Sequence, residues 1–263
     1  MELLLKLNRI RGNVLPANYT YALSSWIYKV ISRADQDYST FLHEKGFTIE
    51  NRRFKMFTFS QLDVRPYKIM GNEILLEGKE ASLIVRFLVD SSLENFVKGL
   101  FIEQRFGLGR SGSADVVDFL VSGVETKPKP SFQEVMRYQC LSPIVTSTQR
   151  DDGSTAYLSP DYRGYAQIFI QNLLRKQKAL LQYNEEPTLV EADRFPYAFK
   201  LLNTPRKKGI IIKENTPQES KVMGYLFHFE LTAPVELHEI GYYAGFGEKN
   251  SMGFGCGGIN SSL

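Results

Sequence analysis

Gly245-Phe-Gly-Glu-Lys-Asn-Ser-Met-Gly-Phe-Gly255, near the C-terminal end, sets four glycines (Gly245, Gly247, Gly253 and Gly255) around a short polar insert with Lys249 at its tip. Glycine has no Cβ, so such a loop takes positive φ values and brings backbone N–H groups close to a ligand. Taken alone, a glycine-rich hairpin turn would explain the same residues. What surrounds the loop decides between these readings. Residues 234–243 read as a short helix leading into it through Tyr242-Tyr243-Ala244, and a strand resumes beyond it.

Working outward, the chain shows one rhythm twice. Residues 2–9 alternate as a strand, and Leu23, Trp26, Ile27, Val30 and Ile31 form an i, i+3, i+4, i+7, i+8 stripe that predicts an amphipathic helix over 21–32. A second short helix is expected at 37–45, with Tyr38, Phe41 and Leu42 on its apolar face. Strands are expected at 52–62 and between 67 and 89. Asp90-Ser91-Ser92 offers N-caps for a helix to about Arg105, and a strand at 114–122 closes the first half. After the Lys127-Pro128-Lys129-Pro130 punctuation the order returns: a strand at 133–146, a helix at 160–182, strands at 197–203, 209–213 and 221–232, then the helix and strand that flank the glycine loop. Each half reads β-α-β-β-α-β, the ferredoxin-like order shared with RNA-recognition modules. The expected class is α+β, with tandem ferredoxin-like domains at 1–124 and 125–263. The halves share a pattern and no detectable sequence identity.

The 263 residues are 43% hydrophobic, enough for proper cores, and the net charge of +3 does not by itself announce a nucleic-acid binder. Basic residues cluster at Arg52-Arg53 with Lys55, at Arg175-Lys176 with Lys178, and at Arg206-Lys207-Lys208; each cluster reads as solvated surface unless several converge on one face. The two cysteines, Cys140 and Cys256, lack metal-ligand spacing and fit a reducing cytosol. No signal peptide or membrane span is expected, which places the protein in the cytoplasm.

Several motifs fail on context. Gly107-Leu-Gly109-Arg-Ser-Gly112 matches G-x-G-x-x-G, but a dinucleotide site needs a strand before it and a helix after it, and here the order is reversed. There is no P-loop. His43-Glu44 and His238-Glu239 do not extend to H-E-x-x-H, and with three histidines no catalytic metal is expected. What remains is a set in the first half. Tyr28 lies one step, about 100°, off the apolar stripe, His43 flanks Leu42 in the same way, and Lys55 follows Arg53 on the same strand face. Singly, each has a bland reading: amphipathic packing for the tyrosine, an idle surface histidine, a solvated lysine.

Together with the glycine loop these blocks resemble a family. The helix with Leu23 and Trp26-Ile27-Tyr28, then Phe41-Leu42-His43-Glu44, then Lys55-Met-Phe-Thr-Phe-Ser60 stand in the order found in the CRISPR-associated endoribonucleases numbered six among the CRISPR-associated proteins, which cut repeat RNA to release guide RNAs. The resemblance covers both ends of the chain. It implies that Tyr28, His43 and Lys55 are the catalytic set, with Arg52, Arg53 and Lys45 as neighbouring alternatives for the cation. It implies that RNA is seated by Arg53 and by Gly245, Gly247, Lys249, Asn250, Ser251, Gly253 and Gly255. It also implies metal-independent cleavage by the RNA's own 2′-hydroxyl, giving a 2′,3′-cyclic phosphate and a 5′-hydroxyl, without a cofactor. The implied partner is the repeat of a CRISPR precursor RNA, with other effector-complex subunits as further candidates and no membrane. The expected state is a monomer or weak homodimer. The rival reading is a non-catalytic RNA-binding subunit of a CRISPR effector complex; a scaffold protein of the same fold is the more distant one.

Overall fold

Leu3, Leu5 and Leu7 are buried while Lys6 and Asn8 are exposed, the period-two alternation that makes the first strand. The computed structural model describes residues 1–109, 116–186, 195–214 and 216–260. The first half contains β1 (Glu2–Arg11), β2 (Val14–Pro16), α1 (Thr20–Ala34), α2 (Gln36–Thr40), β3 (Phe47–Ile49), β4 (Arg52–Phe54), β5 (Phe57–Phe59), β6 (Tyr67–Met70), β7 (Glu73–Leu76), β8 (Glu80–Phe87), α3 (Asp90–Ile102), β9 (Arg105–Gly109) and β10 (Val116–Lys127). Its main sheet has the order β5-β8-β1-β10-β9, with every pair antiparallel. Without the added edge strand β9, this is the 2-3-1-4 order of a ferredoxin-like unit, with α1 and α3 as its two crossovers.

The second half repeats the plan with β11 (Val135–Cys140), β12 (Ser147–Gln149), β13 (Thr155–Tyr157), α4 (Tyr165–Tyr183), β14 (Ala198–Leu201), β15 (Arg206–Ile212), β16 (Ser220–Leu226), β17 (His228–Thr232), α5 (Val235–Ala244) and β18 (Gly257–Ile259). Its sheet order β14-β17-β11-β18 is again 2-3-1-4. Two hairpins, β12–β13 and β15–β16, are inserted into this plan. The protein is therefore α+β with two tandem ferredoxin-like units. Among the described residues no helix is long and apolar enough to cross a membrane.

The two units pack through apolar and polar contacts. Arg86 on β8 is fully buried; its Nε donates to Glu2 Oε2 at 2.6 Å, an Nη1 donates to the carbonyl of Gly257, and the guanidinium lies 3.6 Å from the ring centre of Tyr242. The Tyr242 hydroxyl donates to the same Glu2 oxygen at 2.6 Å. A buried charge of this kind is tolerated only when paired and hydrogen-bonded, and two of these three partner residues, Tyr242 and Gly257, come from the second unit.

Some local expectations change. The strand expected over 52–62 is two strands with different partners, because Met56 takes φ 54° and turns the chain between them. The helix expected to use Asp90-Ser91-Ser92 as caps begins at Asp90 itself, with Val89 at the cap position and no side chain capping it. Ser91 and Ser92 instead bond the Tyr38 hydroxyl. That helix ends at Ile102, and Arg105 opens β9, which includes Gly107 and Gly109; Arg110 and Gly112 lie outside the described residues. The strand expected at 114–122 is β10, and residues 114 and 115 are likewise outside.

Candidate active site

The apolar stripe of α1 is buried as its spacing requires, and Tyr28 stands half-buried at the edge of that stripe. Its ring meets His43 edge-on with centroids 5.8 Å apart, and Phe57 at 5.5 Å. The segment carrying His43 is not a continuation of α2. Asp35 caps α2 by accepting from the Tyr38 N–H at 2.8 Å, and the chain then widens into a π turn over Phe41–Lys45, closed by Gly46 N–H donating to Phe41 O at 2.7 Å. Leu42 is buried and His43 is exposed on this turn. Such single π turns often occur at functional sites.

Lys55 reaches back over the end of the π turn. Its ammonium donates to His43 O at 2.9 Å, and Arg53 donates to Glu44 O at 2.8 Å. Two cations thus satisfy carbonyls at a helix C-terminus, where the helix dipole favours them. Gly46 makes this possible: at φ 64° a Cβ would stand 2.5 Å from Phe54 O and 3.1 Å from Lys55 Nζ. Lys55 leaves the strand at the Met56 turn, which is what swings it toward the histidine.

Tyr28, His43 and Lys55 line one cleft of about 320 Å³ together with Ser251 and Lys213. Burial pushes the Tyr28 phenol up to about 12, with a hydrogen bond from Ser251 opposing the shift. At neutral pH the phenol therefore keeps its proton. Burial, and then the charge of Arg53, pull the Lys55 ammonium down to about 8. An adjoining cleft of about 260 Å³ is lined by Arg52, Arg53 and Lys249 and shares Lys55, Ser251 and Met252 with the first. A larger space of about 640 Å³ lies on the exposed face of the first sheet, between Lys6, Asp63, Arg65 and Glu80. Its Asp63 and Arg65 pair with each other and Lys6 pairs with Glu125, and it offers no histidine or tyrosine.

The glycine loop is placed differently from the expectation. Gly245, Gly247, Gly253 and Gly255 all take positive φ, as expected, but all four are buried, as are Asn250 and Ser251. At Gly247 a Cβ would stand 2.3 Å from Val145 O, so the close approach there is to the protein's own backbone. The N–H groups of Phe246, Glu248 and Gly255 are spent on Gly255, Val145 and Pro143 carbonyls. Lys249, in the left-handed region at φ 56°, is the exposed tip. Beneath the loop lies Lys176 of α4, fully buried, whose ammonium donates to the carbonyls of Gly245 and Gly247 and to Asn250 Oδ1. Burial pulls this lysine down to about 7, with Glu248 opposing. The basic cluster at 175–178, read as solvated surface, thus contains the residue that locks the loop. From the other side the loop meets the first unit: Ser24 Oγ donates to Ser251 O at 2.6 Å, and Thr58 Oγ1 donates to Phe254 O at 3.0 Å. Among the remaining histidines, His238 is buried against Tyr138 and Glu134 O and serves packing.

The family model described as CRISPR-associated protein Cas6, N-terminal, matches residues 14–125, and the one described as CRISPR associated protein Cas6, C-terminal, matches residues 125–259. The chain belongs to the Cas6 family. A relative from Methanocaldococcus jannaschii, named CRISPR-associated endoribonuclease Cas6 1, is 30% identical over 258 residues, which is 97% of this chain and 91% of that protein. A solved structure of a Cas6-related gene product from Pyrococcus furiosus superposes with a TM-score of 0.83 at 23% identity, covering 100% of this chain and 99% of the other. A second, described as CRISPR associated protein Cas6, gives 0.73 at 29% identity, with 99% of each chain covered. Over both units, then, the Cas6 fold accounts for the architecture around the cleft.

Proposed function

We propose that this Cas6-family chain is a metal-independent endoribonuclease that cuts the repeat of a CRISPR precursor RNA in the cytoplasm, its catalytic residues lying in a domain at 1–124 and its glycine loop in one at 125–263. The observation that carries the reading is the convergence of Tyr28, His43 and Lys55, from a helix, a π turn and a kinked strand, on one cleft. His43 takes the proton from the 2′-hydroxyl, whose oxygen attacks the adjacent phosphorus. The bond to the 5′-oxygen breaks, and that oxygen gains a proton returned by His43, with Tyr28, protonated at neutral pH, as a second proton-transfer or positioning group. The products are a 2′,3′-cyclic phosphate and a 5′-hydroxyl. Lys55 holds the negative charge that grows on the pentacoordinate phosphate. Arg53 and Lys249 contact the backbone along the adjoining cleft, and the buried glycines, Asn250 and Ser251 give that seat its shape. The working state is a monomer or weak homodimer, with other effector-complex subunits as further partners.

The test is single-turnover cleavage of repeat RNA. Cleavage is expected to persist in excess EDTA and to be abolished by a 2′-deoxy substitution just upstream of the cut, with binding retained. His43→Ala is expected to slow the reaction by roughly 10²–10⁴ with little change in affinity. Cleavage of the deoxy substrate would show a different nucleophile, and a His43→Ala protein as fast as the parent would favour the RNA-binding rival.

A further inference from the structure

The cleft that holds Tyr28, His43 and Lys55 is closed on another side by a residue of the second unit. Lys213 stands just beyond β15, at the end of the inserted β15–β16 hairpin, and lines the same cleft. It is half-buried and takes φ 54°, a left-handed conformation that lysine seldom adopts unless its surroundings enforce it. Those surroundings are visible. Thr216 donates to Lys213 O through both its N–H, at 3.1 Å, and its hydroxyl, at 2.7 Å. Asn18, just ahead of α1, grips the hairpin on both sides of the lysine: its Oδ1 accepts from Ile211 N–H at 2.9 Å, and its Nδ2 donates to Glu214 Oε2 at 3.2 Å. Ile210 and Ile212 are buried against Val145 and Phe254, which fixes the hairpin to the body of the second unit. The same asparagine therefore registers the hairpin against the helix that carries Tyr28.

Among the described residues the Lys213 ammonium forms no ion pair, and the adjacent acid, Glu214, is held by Asn18. A cation held in a cleft by a strained backbone, with no ion-pair partner among the described residues, fits an anionic ligand. In a site that handles a phosphodiester, that ligand is a backbone phosphate. We propose that Lys213 contacts the RNA phosphate at the cut, as a second cation beside Lys55 that is delivered by the second ferredoxin-like unit. The inference rests on the function proposed above and adds one substrate contact to it. Two cations on a phosphate that gains charge share the load, and a cleft completed by both units assembles only when the β15–β16 hairpin is seated on Asn18.

The experiment compares Lys213→Ala, Lys213→Arg and Asn18→Ala with the parent and His43→Ala, using repeat RNA. Lys213→Ala is expected to slow single-turnover cleavage by about 10- to 100-fold. It should also lower the slope of log affinity against log salt by about 0.7, the value for one contact to a single-stranded backbone. Lys213→Arg should restore most of the rate, because charge is what the site uses. Asn18→Ala should lose part of the rate, and the double variant should lose no more than Lys213→Ala alone, since the two act through one contact. Melting curves of Lys213→Ala should match the parent. A Lys213→Ala protein that keeps the parental rate and salt slope, while His43→Ala is inactive, overturns the inference and leaves the proposed function standing. Equal loss in Lys213→Ala and Lys213→Arg with lowered melting overturns it too, as a purely structural role. A parent that binds RNA without cutting it removes the proposed function, and the salt slope of Lys213→Ala then still decides whether the lysine meets a phosphate.

Discussion

α1 and α4 occupy the same place in their respective ferredoxin-like units, each the first crossover after the first strand, and they use their polar residues in opposite ways. α1 turns Tyr28 toward an open cleft, where the phenol faces His43 and Ser251. α4 turns Lys176 inward, where two carbonyls and the Asn250 side chain receive its ammonium. The topology fixes where each helix lies; the position of one residue on it decides whether a polar group faces an open cleft or the chain itself. In the proposed function the first unit thus supplies the chemistry, while the second supplies the loop and hairpin residues, Ser251, Met252 and Lys213, that line the same cleft.

The sharpest way to break this contrast is to exchange the roles by mutation. Lys176→Met leaves three buried acceptors without a donor, and unsatisfied buried groups cost roughly 1–3 kcal/mol each. Because the loop relaxes in part, a net loss of about 3 kcal/mol in urea unfolding is expected. Tyr28→Phe should leave unfolding within about 1 kcal/mol of the parent while slowing cleavage by about 10²-fold. If Lys176→Met unfolds like the parent, the lysine is not the lock and the contrast between the two helices disappears.

The pH dependence sharpens the same comparison from the side of the first unit. In the proposed role the protonated Lys55 is the useful form, and burial has lowered it to about 8. Its contribution is therefore complete below that value and is lost as pH rises through it. The cleavage rate should fall on an alkaline limb near pH 8, approaching tenfold per unit well above it, and Lys55→Arg should move that limb upward, because arginine stays charged. A rate that stays flat to pH 10 in the parent would take the stabilising role away from Lys55.

The smallest expected effect belongs to the tip of the loop. Lys249→Ala should not change stability, since the side chain is exposed. It should lower the salt slope of RNA binding by about 0.7. An unchanged slope would confine the loop to a structural part.

The order of strands and helices was legible because each buried face repeats with its own period: Leu3, Leu5 and Leu7 at two, and Leu23, Trp26, Ile27, Val30 and Ile31 along a helix. Of the candidate catalytic set, the flanking positions of Tyr28 and His43 could be read from those same stripes. The approach of Lys55 to His43 could not, because it depends on a left-handed Met56 and a π turn, neither of which has a residue signature. Lys176 was misread for a related reason. A lysine between Arg175 and Lys178 looks solvated until a loop about 70 residues later covers it, and no local pattern reports that contact. The four loop glycines were rightly expected to take positive φ, whereas the surface they approach is Val145 and other parts of the same chain.

The buried knot of Glu2, Arg86, Tyr242 and Gly257 has a consequence for anyone who would build chimaeras from this family. A seam cut between the two sheets looks natural, because each sheet closes on its own strands. Yet a second unit borrowed from a relative would meet an arginine already committed to the phenol at 242 and the carbonyl at 257. A graft that supplies both should fold. One that supplies neither would leave that buried guanidinium with Glu2 as its one partner from the knot, so the transplantable module is a unit together with its half of the knot.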